Sequence, residues 1–282
     1  MQGTVRIPAA KNSVLPLIAA SLLCTKPVRL RGVPRLSDVE ACLALVRSTG
    51  EKAGWQGSDV CVSGTPFCST LPGQTAEQMR ASILFCAPLL ARLGRAESSL
   101  PGGCKIGARP VDLHLAGLAK MGAQEHPAGP GRLLLTAPSG LHGAEITLSF
   151  PSVGATETLL LAAACAKGQT VLRGAAREPE IGDLAAFLTR CGGCVEGAGT
   201  ATIRIEGRRT LGGCVFSPLP DRIFASTLAC ACAAAGGRVE LAGCPASLYA
   251  PVLEILAQMG CAVDTDGDTV RLARFGRLYG AG

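Results

Sequence analysis

The segment 101–114 reads Pro, Gly, Gly, Cys, Lys, Ile, Gly, Ala, Arg, Pro, Val, Asp, Leu, His. Its glycines let backbone approach a ligand closely, and they place Cys104 in a loop instead of an apolar run. Lys105 and Arg109 favour the thiolate of Cys104, so this thiol suits nucleophilic attack or proton donation. Asp112 and His114 open a predicted helix over 111–121. A second cation, Lys11, stands at the start of the first predicted helix, where unbonded amides add to its charge. An arginine such as Arg109 grips phosphate or carboxylate bidentately. The chemistry is that of a small anionic substrate held beside an acidic or nucleophilic thiol. The plain alternative is a turn that holds one of many cysteines.

The chain has 14 cysteines in 282 residues. A disulfide scaffold belongs to short secreted chains, and this one is long and Ala-rich without a signal-peptide pattern, so reduced thiols are expected. Cys24, Cys42, Cys86, Cys165 and Cys230 fall among Ala and Leu at helical spacing and read as core residues. Cys191 and Cys194 form the chain's one Cys-x-x-Cys, with no second pair and no nearby histidine, and they follow a predicted helix; a helix-ending turn is expected there, not a zinc or redox site. No metal and no cofactor are called for. Apolar runs fall short of the roughly 20 residues of a membrane span. The net charge of +6 is spread along the chain with no basic-aromatic interleaving, which argues against nucleic acid and suits anionic small molecules. A cytoplasmic protein with no membrane partner is expected.

The elements that must position these residues recur. Units starting at 11, 79, 152 and 221 each run through an apolar helix, a short strand, a Gly/Pro turn, a second helix, a Gly turn and a further strand. One unit alone is too small to enclose its apolar faces, so neighbouring units share a core. The prediction is an α/β protein built of repeats of about 70 residues. Such repeats also make binding scaffolds, so the site must decide function.

Lys11 with Asn12, Met79-Arg80-Ala81-Ser82, the Cys104 loop, Phe150-Pro151-Ser152-Val153-Gly154-Ala155-Thr156, Ala176-Arg177-Glu178-Pro179-Glu180-Ile181 and Pro220-Asp221-Arg222-Ile223 occur in that order along the chain. This series resembles the signature segments of the UDP-N-acetylglucosamine enolpyruvyl transferases. The resemblance implies an inside-out α/β barrel fold in two lobes of three repeats that close over the substrates. It implies transfer of the enolpyruvyl group from phosphoenolpyruvate to the 3-hydroxyl of UDP-N-acetylglucosamine, the first committed step of peptidoglycan precursor synthesis. It makes Cys104 the catalytic acid and the target of fosfomycin. Lys11 and Arg109, with Arg80, would hold phosphoenolpyruvate. Asn12 would meet the sugar nucleotide, and Arg109, Pro110, Val111, Asp112, Leu113, His114, Ser152, Val153 and Gly154 would line the uridine-diphosphate site.

On this resemblance, 11–219 forms a complete first lobe, and 1–10 with 220–282 forms part of a second. The family continues for two further repeats, which bring an aspartate base, so a C-terminally truncated chain with retained nucleotide binding and poor turnover is expected. Phe224 stands where the family usually has an acidic residue, and Ala9 where it has a glycine. The rival within the fold is 3-phosphoshikimate 1-carboxyvinyltransferase, which has no counterpart of the Gly-Gly-Cys loop. The rival outside enzymology is a UDP-sugar-binding fragment.

Overall fold

The computed structural model describes residues 1–102 and 110–280. Strand β1 (Gln2–Arg6) precedes four repeats. The first holds α1 (Lys11–Ser21), β2 (Val28–Leu30), α2 (Ser37–Ser48), β3 (Lys52–Gln56) and β4 (Asp59–Ser63). The second holds α3 (Gly73–Ala76), a 3-10 turn over Arg80–Phe85, α4 (Cys86–Leu93), β5 (Arg95–Ser99), α5 (Asp112–Lys120), β6 (Gln124–His126), β7 (Arg132–Thr136) and β8 (Glu145–Thr147). The third holds α6 (Val153–Ala164), β9 (Gln169–Arg173), α7 (Pro179–Arg190), β10 (Cys194–Glu196), β11 (Thr202–Glu206) and β12 (Val215–Phe216). The fourth holds α8 (Arg222–Ala235), β13 (Gly237–Ala242), α9 (Ala250–Gln258), β14 (Ala262–Asp266) and β15 (Thr269–Arg274).

Each repeat therefore carries an antiparallel strand pair after its second helix, where the sequence suggested a single strand. The turn into that pair is made by Gly50, Gly122, Gly192 and Gly260, with φ of 99°, 93°, 93° and 99°. The four equivalent positions adopt one left-handed conformation that side chains resist, which is why glycine recurs there at the repeat interval. In the second repeat, the helix expected from Met79 is a 3-10 turn followed by α4. Pro88 sits in the first turn of α4, where a missing N–H and a fixed φ do no harm, so the α-helix starts just before it.

The chain divides into two compact units, Asn12–Pro218 and Met1–Lys11 with Leu219–Gly282. In the larger unit the three sheets share one plan: the strand between the two helices pairs with the second strand of the hairpin, and a parallel segment from another repeat covers its outer edge. The orders are β12-β2-β4-β3, β8-β9-β11-β10 and β5-β7-β6. In the last, the parallel edge shrinks to a bridge between Thr70 and Glu97, with Leu71 N–H donating to Glu97 O at 2.8 Å. The first repeat thus edges the second, the second edges the third through β8, and the third edges the first through β12. The pairing is cyclic, so three repeats cover one another's strand edges.

Helices α1 and α6 are buried on all sides from Ser13 to Ser21 and from Ala155 to Ala164. Strands β7, β9 and β11 alternate buried and open positions, so the sheets turn one face to the helices and one to water. Helix α6 packs against α4, α5 and α7. At α5 the approach is so close that a Cβ on Gly117 would lie 2.5 Å from Leu159 Cδ2, and Leu159 is fully buried. Gly117→Val is expected to destabilise the chain by about 1–3 kcal/mol through overpacking, read as a lower urea midpoint. An unchanged midpoint would show that α5 and α6 have room to part.

The smaller unit has its own core, in which Ala225, Ala229, Cys232 and Ala233 of α8 meet Val239, Leu241, Leu253, Leu256, Val270 and Leu272. Its sheet order is β1-β13-β15-β14, with β1 parallel to β13. Of the five cysteines read as core, Cys24, Cys42 and Cys86 are buried, Cys165 is partly buried, and Cys230 is exposed. Cys230 lies one helical step from the stripe 225, 229, 232, 233 that faces the sheet, so it turns away from it.

Candidate functional site

Lys11 is the first residue of α1, and Lys11 and Asn12 are exposed while burial starts at Ser13. Pro16 lies inside this helix and has no N–H to return to the Asn12 carbonyl four residues back, so the helix leaves that oxygen without its backbone partner. Arg92 Nη1 donates to Leu23 O at 3.0 Å just beyond the other end of α1.

Described residues flank the Cys104 segment on both sides, from the end of β5 to Gly102 and from Pro110 onward. Leu100 N–H bonds Gly131 O at 2.8 Å, and Gly102 packs so tightly on the Glu77 backbone that a Cβ would fall on its carbonyl oxygen. At the other end Arg80 Nη2 donates to Pro110 O at 3.0 Å. Cys104 and Arg109, with Gly103 and Lys105, lie outside the described residues.

Past Pro110, Val111 is half-buried and Asp112 opens α5 as an acid in its first turn, complementary to the helix dipole. Leu113 is half-buried, and His114 is buried with Nδ1 2.8 Å from Thr158 Oγ1 on α6. Burial, reinforced by the Arg80 cation and opposed by Asp112, pushes the His114 pKa down to about 4, so the ring is neutral at pH 7. Its other edge faces the start of α6: a Cβ on Gly154 would lie 3.1 Å from His114 Cε1 and 3.3 Å from Nε2. Ser152 caps α6, its Oγ accepting from Ala155 N–H at 3.4 Å. Thr156 Oγ1 donates to Ser152 O at 2.8 Å and accepts from Ala176 N–H at 3.1 Å, which ties the cap to the strand-to-helix turn before α7.

The structure thus brings Arg80, the segment Pro110 to His114 and the segment Ser152 to Gly154 into one contiguous wall of the larger unit. Lys11 and Asn12 stand at the exposed start of α1.

Three buried polar groups on α6 and α7 escaped the sequence reading. Thr158 and Glu157 stand at the start of the apolar run of α6, and both are buried. Glu157 is pushed up to about 8 by burial and then by the neighbouring charges of Glu180 and Glu178. Asp183 is also buried, one turn along α7 from Glu180. The only signal for Glu157 and Thr158 was a Thr-Glu-Thr interruption at 156–158. Elsewhere, Cys191 does close α7 in a turn, and its partners are Cys24 at 3.7 Å and Cys214 at 3.4 Å between sulfurs, not Cys194.

No helix among the described residues is long and apolar enough to cross a membrane.

Comparison with known proteins gives this wall a lineage. The EPSP synthase (3-phosphoshikimate 1-carboxyvinyltransferase) family model matches residues 1–277. The UDP-N-acetylglucosamine 1-carboxyvinyltransferase of Finegoldia magna is 45% identical over 99% of this chain and 67% of its own length. The protein of the same name from Saccharophagus degradans is 42% identical over 98% of this chain and 66% of its own. Among solved structures, the enolpyruvyl transferase NikO from Streptomyces tendae superposes with a TM-score of 0.83 at 24% identity, covering 97% of this chain and 66% of that one. EPSP synthase from Acinetobacter baumannii superposes with a TM-score of 0.75 at 22% identity, over 96% and 64%; both likenesses establish the fold. The chain spans about two thirds of the length of the relatives it matches. With the family model matched nearly end to end and this level of identity, the chain belongs to the enolpyruvyl (carboxyvinyl) transferase family, on the side of the UDP-N-acetylglucosamine 1-carboxyvinyltransferases.

Proposed function

We propose that this chain transfers the enolpyruvyl group of phosphoenolpyruvate to the 3-hydroxyl of UDP-N-acetylglucosamine, a cytoplasmic step of peptidoglycan precursor synthesis. The observation that carries the proposal is the junction of α5 and α6, where Pro110 to His114 meet the capped start of α6 in a chain 42–45% identical to proteins of that name. In this reading residues 11–219, which take in the larger unit, are the first lobe, and residues 1–10 with 220–282 belong to a second lobe.

The reaction needs a proton delivered to the methylene carbon of phosphoenolpyruvate, a proton taken from the sugar hydroxyl as its oxygen bonds the adjacent carbon, and then loss of phosphate with removal of one methyl proton to return the double bond. Cys104 supplies the proton. Lys11, Arg109 and Arg80 hold the phosphate and carboxylate and offset the charge of the tetrahedral intermediate. Asn12, Pro110, Val111, Asp112, Leu113, His114, Ser152, Val153 and Gly154 contact the sugar nucleotide. The His114 ring is neutral and brings no charge, so the charge of the diphosphate is offset by the cations and by the first-turn amides of α6.

Calorimetry with UDP-N-acetylglucosamine and with shikimate 3-phosphate separates this reading from its sister within the fold. Saturable binding of the sugar nucleotide alone is expected. Preferential binding of shikimate 3-phosphate, or no affinity for the sugar nucleotide at millimolar concentration, would overturn the assignment.

A further inference from the structure

Thr158 differs from several other hydroxyl residues in helices of this chain. Thr156, Thr189, Ser226 and Thr227 each donate to the carbonyl four residues back, at 2.7–2.9 Å, the usual resting place for a helical hydroxyl. Thr158 makes no such bond among the described residues; its partner is His114 Nδ1 at 2.8 Å. The hydroxyl is fully buried, so its hydrogen has to find an acceptor within the protein, and Nδ1 is the acceptor at hand. Nδ1 accepts only in the tautomer that carries its proton on Nε2. Nε2 then points a donor at the start of α6, beside Gly154, where it has no acceptor among the described residues although His114 is only 3% exposed.

We propose that Thr158 is a positioning residue: its hydroxyl locks His114 in the Nε2–H tautomer so that the ring donates a hydrogen bond to an acceptor oxygen of the bound nucleotide at the start of α6. This rests on the nucleotide-sugar reading of the wall. Phosphate oxygens and the uracil carbonyls share the required chemistry. The first-turn amides of α6 favour the phosphates. Gly154 belongs to the same device, because a side chain there would press on the ring and occupy the place of the ligand oxygen.

The test combines 15N spectra of the His114 ring with titrations of UDP, UMP and uridine into the wild type, Thr158→Ser and Thr158→Val. The expected wild-type spectrum is that of the Nε2–H tautomer. Thr158→Ser keeps both spectrum and affinity, whereas Thr158→Val gives a tautomer mixture and binds UDP about tenfold more weakly, the size of one hydrogen bond to a ligand. A weakening for UDP and UMP but not uridine places the accepted oxygen on a phosphate; an equal weakening for all three places it on the base. An Nδ1–H spectrum in the wild type overturns the proposal whether or not the valine variant folds. So does a folded Thr158→Val with the wild-type spectrum and UDP affinity. If the wild type shows the Nε2–H spectrum but binds no UDP, the nucleotide reading falls, and with it the ligand named here.

Discussion

Replacing Cys104 by alanine is expected to lower the rate of phosphate release from phosphoenolpyruvate by about 100- to 10,000-fold, the usual worth of a positioned proton donor. Affinity for UDP-N-acetylglucosamine should be retained, because the substitution leaves Pro110 to His114 and Ser152 to Gly154, the residues proposed to contact the nucleotide, unchanged. The same variant should lose covalent modification by fosfomycin, an epoxide that a reactive thiolate opens. Selectivity has a physical basis in the other thiols. Burial pushes Cys86 and Cys214 up to about 12 and Cys165 and Cys244 up to about 11, so almost none of their thiolate is present at neutral pH. Cys230 is exposed and is the natural competitor. Peptide mapping that places the label on Cys230 and spares Cys104, or a Cys104→Ala variant with undiminished phosphate release, would remove the thiol from the mechanism.

The second large effect belongs to Glu157. Its carboxyl has an ordinary pKa of 4.5 and is raised to about 8 in the fold. Below pH 4.5 the folded and unfolded chains are both protonated at this position and burial carries no ionic penalty. Between pH 4.5 and 8 the unfolded chain releases the proton and the folded chain keeps it, so stability falls as pH rises through that window. Above pH 8 the loss is complete, on the order of 3–5 kcal/mol. Glu157→Gln, which is neutral throughout, should therefore be the more stable protein at pH 8, with a flatter urea midpoint between pH 5 and 8. Parallel wild-type and variant curves would mean that Glu157 is ionised in the fold and balanced by a cation. Retention of a buried acid next to Glu178 and Glu180, at a cost in stability, fits a role for this cluster beside the wall of the site.

The helices and the repeat were readable in the sequence because their signals are dense. Long Ala/Leu runs give α1, α6 and α8, and one glycine per repeat sits where the backbone must turn left-handed before the hairpin. Strands β3, β6, β10 and β14 were not separated from their partners. They are sheet-edge strands of three to five residues with mixed polar composition, as in Gln124-Glu125-His126, so they show little of the alternation that marks a half-buried strand. Cys230 was misplaced for a related reason: in α8 small apolar residues surround the helix, and composition does not tell which stripe meets the sheet.

The site was legible to the extent that its residues form local segments. Arg80, Pro110 to His114 and Ser152 to Gly154 stood out as short motifs, and the structure joins them through the Arg80 bond to Pro110 and the packing of His114 on Gly154. Thr158 and Glu157 did not stand out. Their importance comes from partners distant in sequence, His114 on α5 and Glu180 on α7, and a polar residue in an apolar helix does not name its partner.

The most direct test of the account is to incubate the purified chain with UDP-N-acetylglucosamine and phosphoenolpyruvate and follow inorganic phosphate together with the mass of the nucleotide sugar. The account predicts equal molar release of phosphate and of a nucleotide sugar enlarged by one enolpyruvyl group, dependent on both substrates. Phosphate release without the enlarged sugar, or transfer of the enolpyruvyl group to shikimate 3-phosphate in place of the nucleotide sugar, would contradict it.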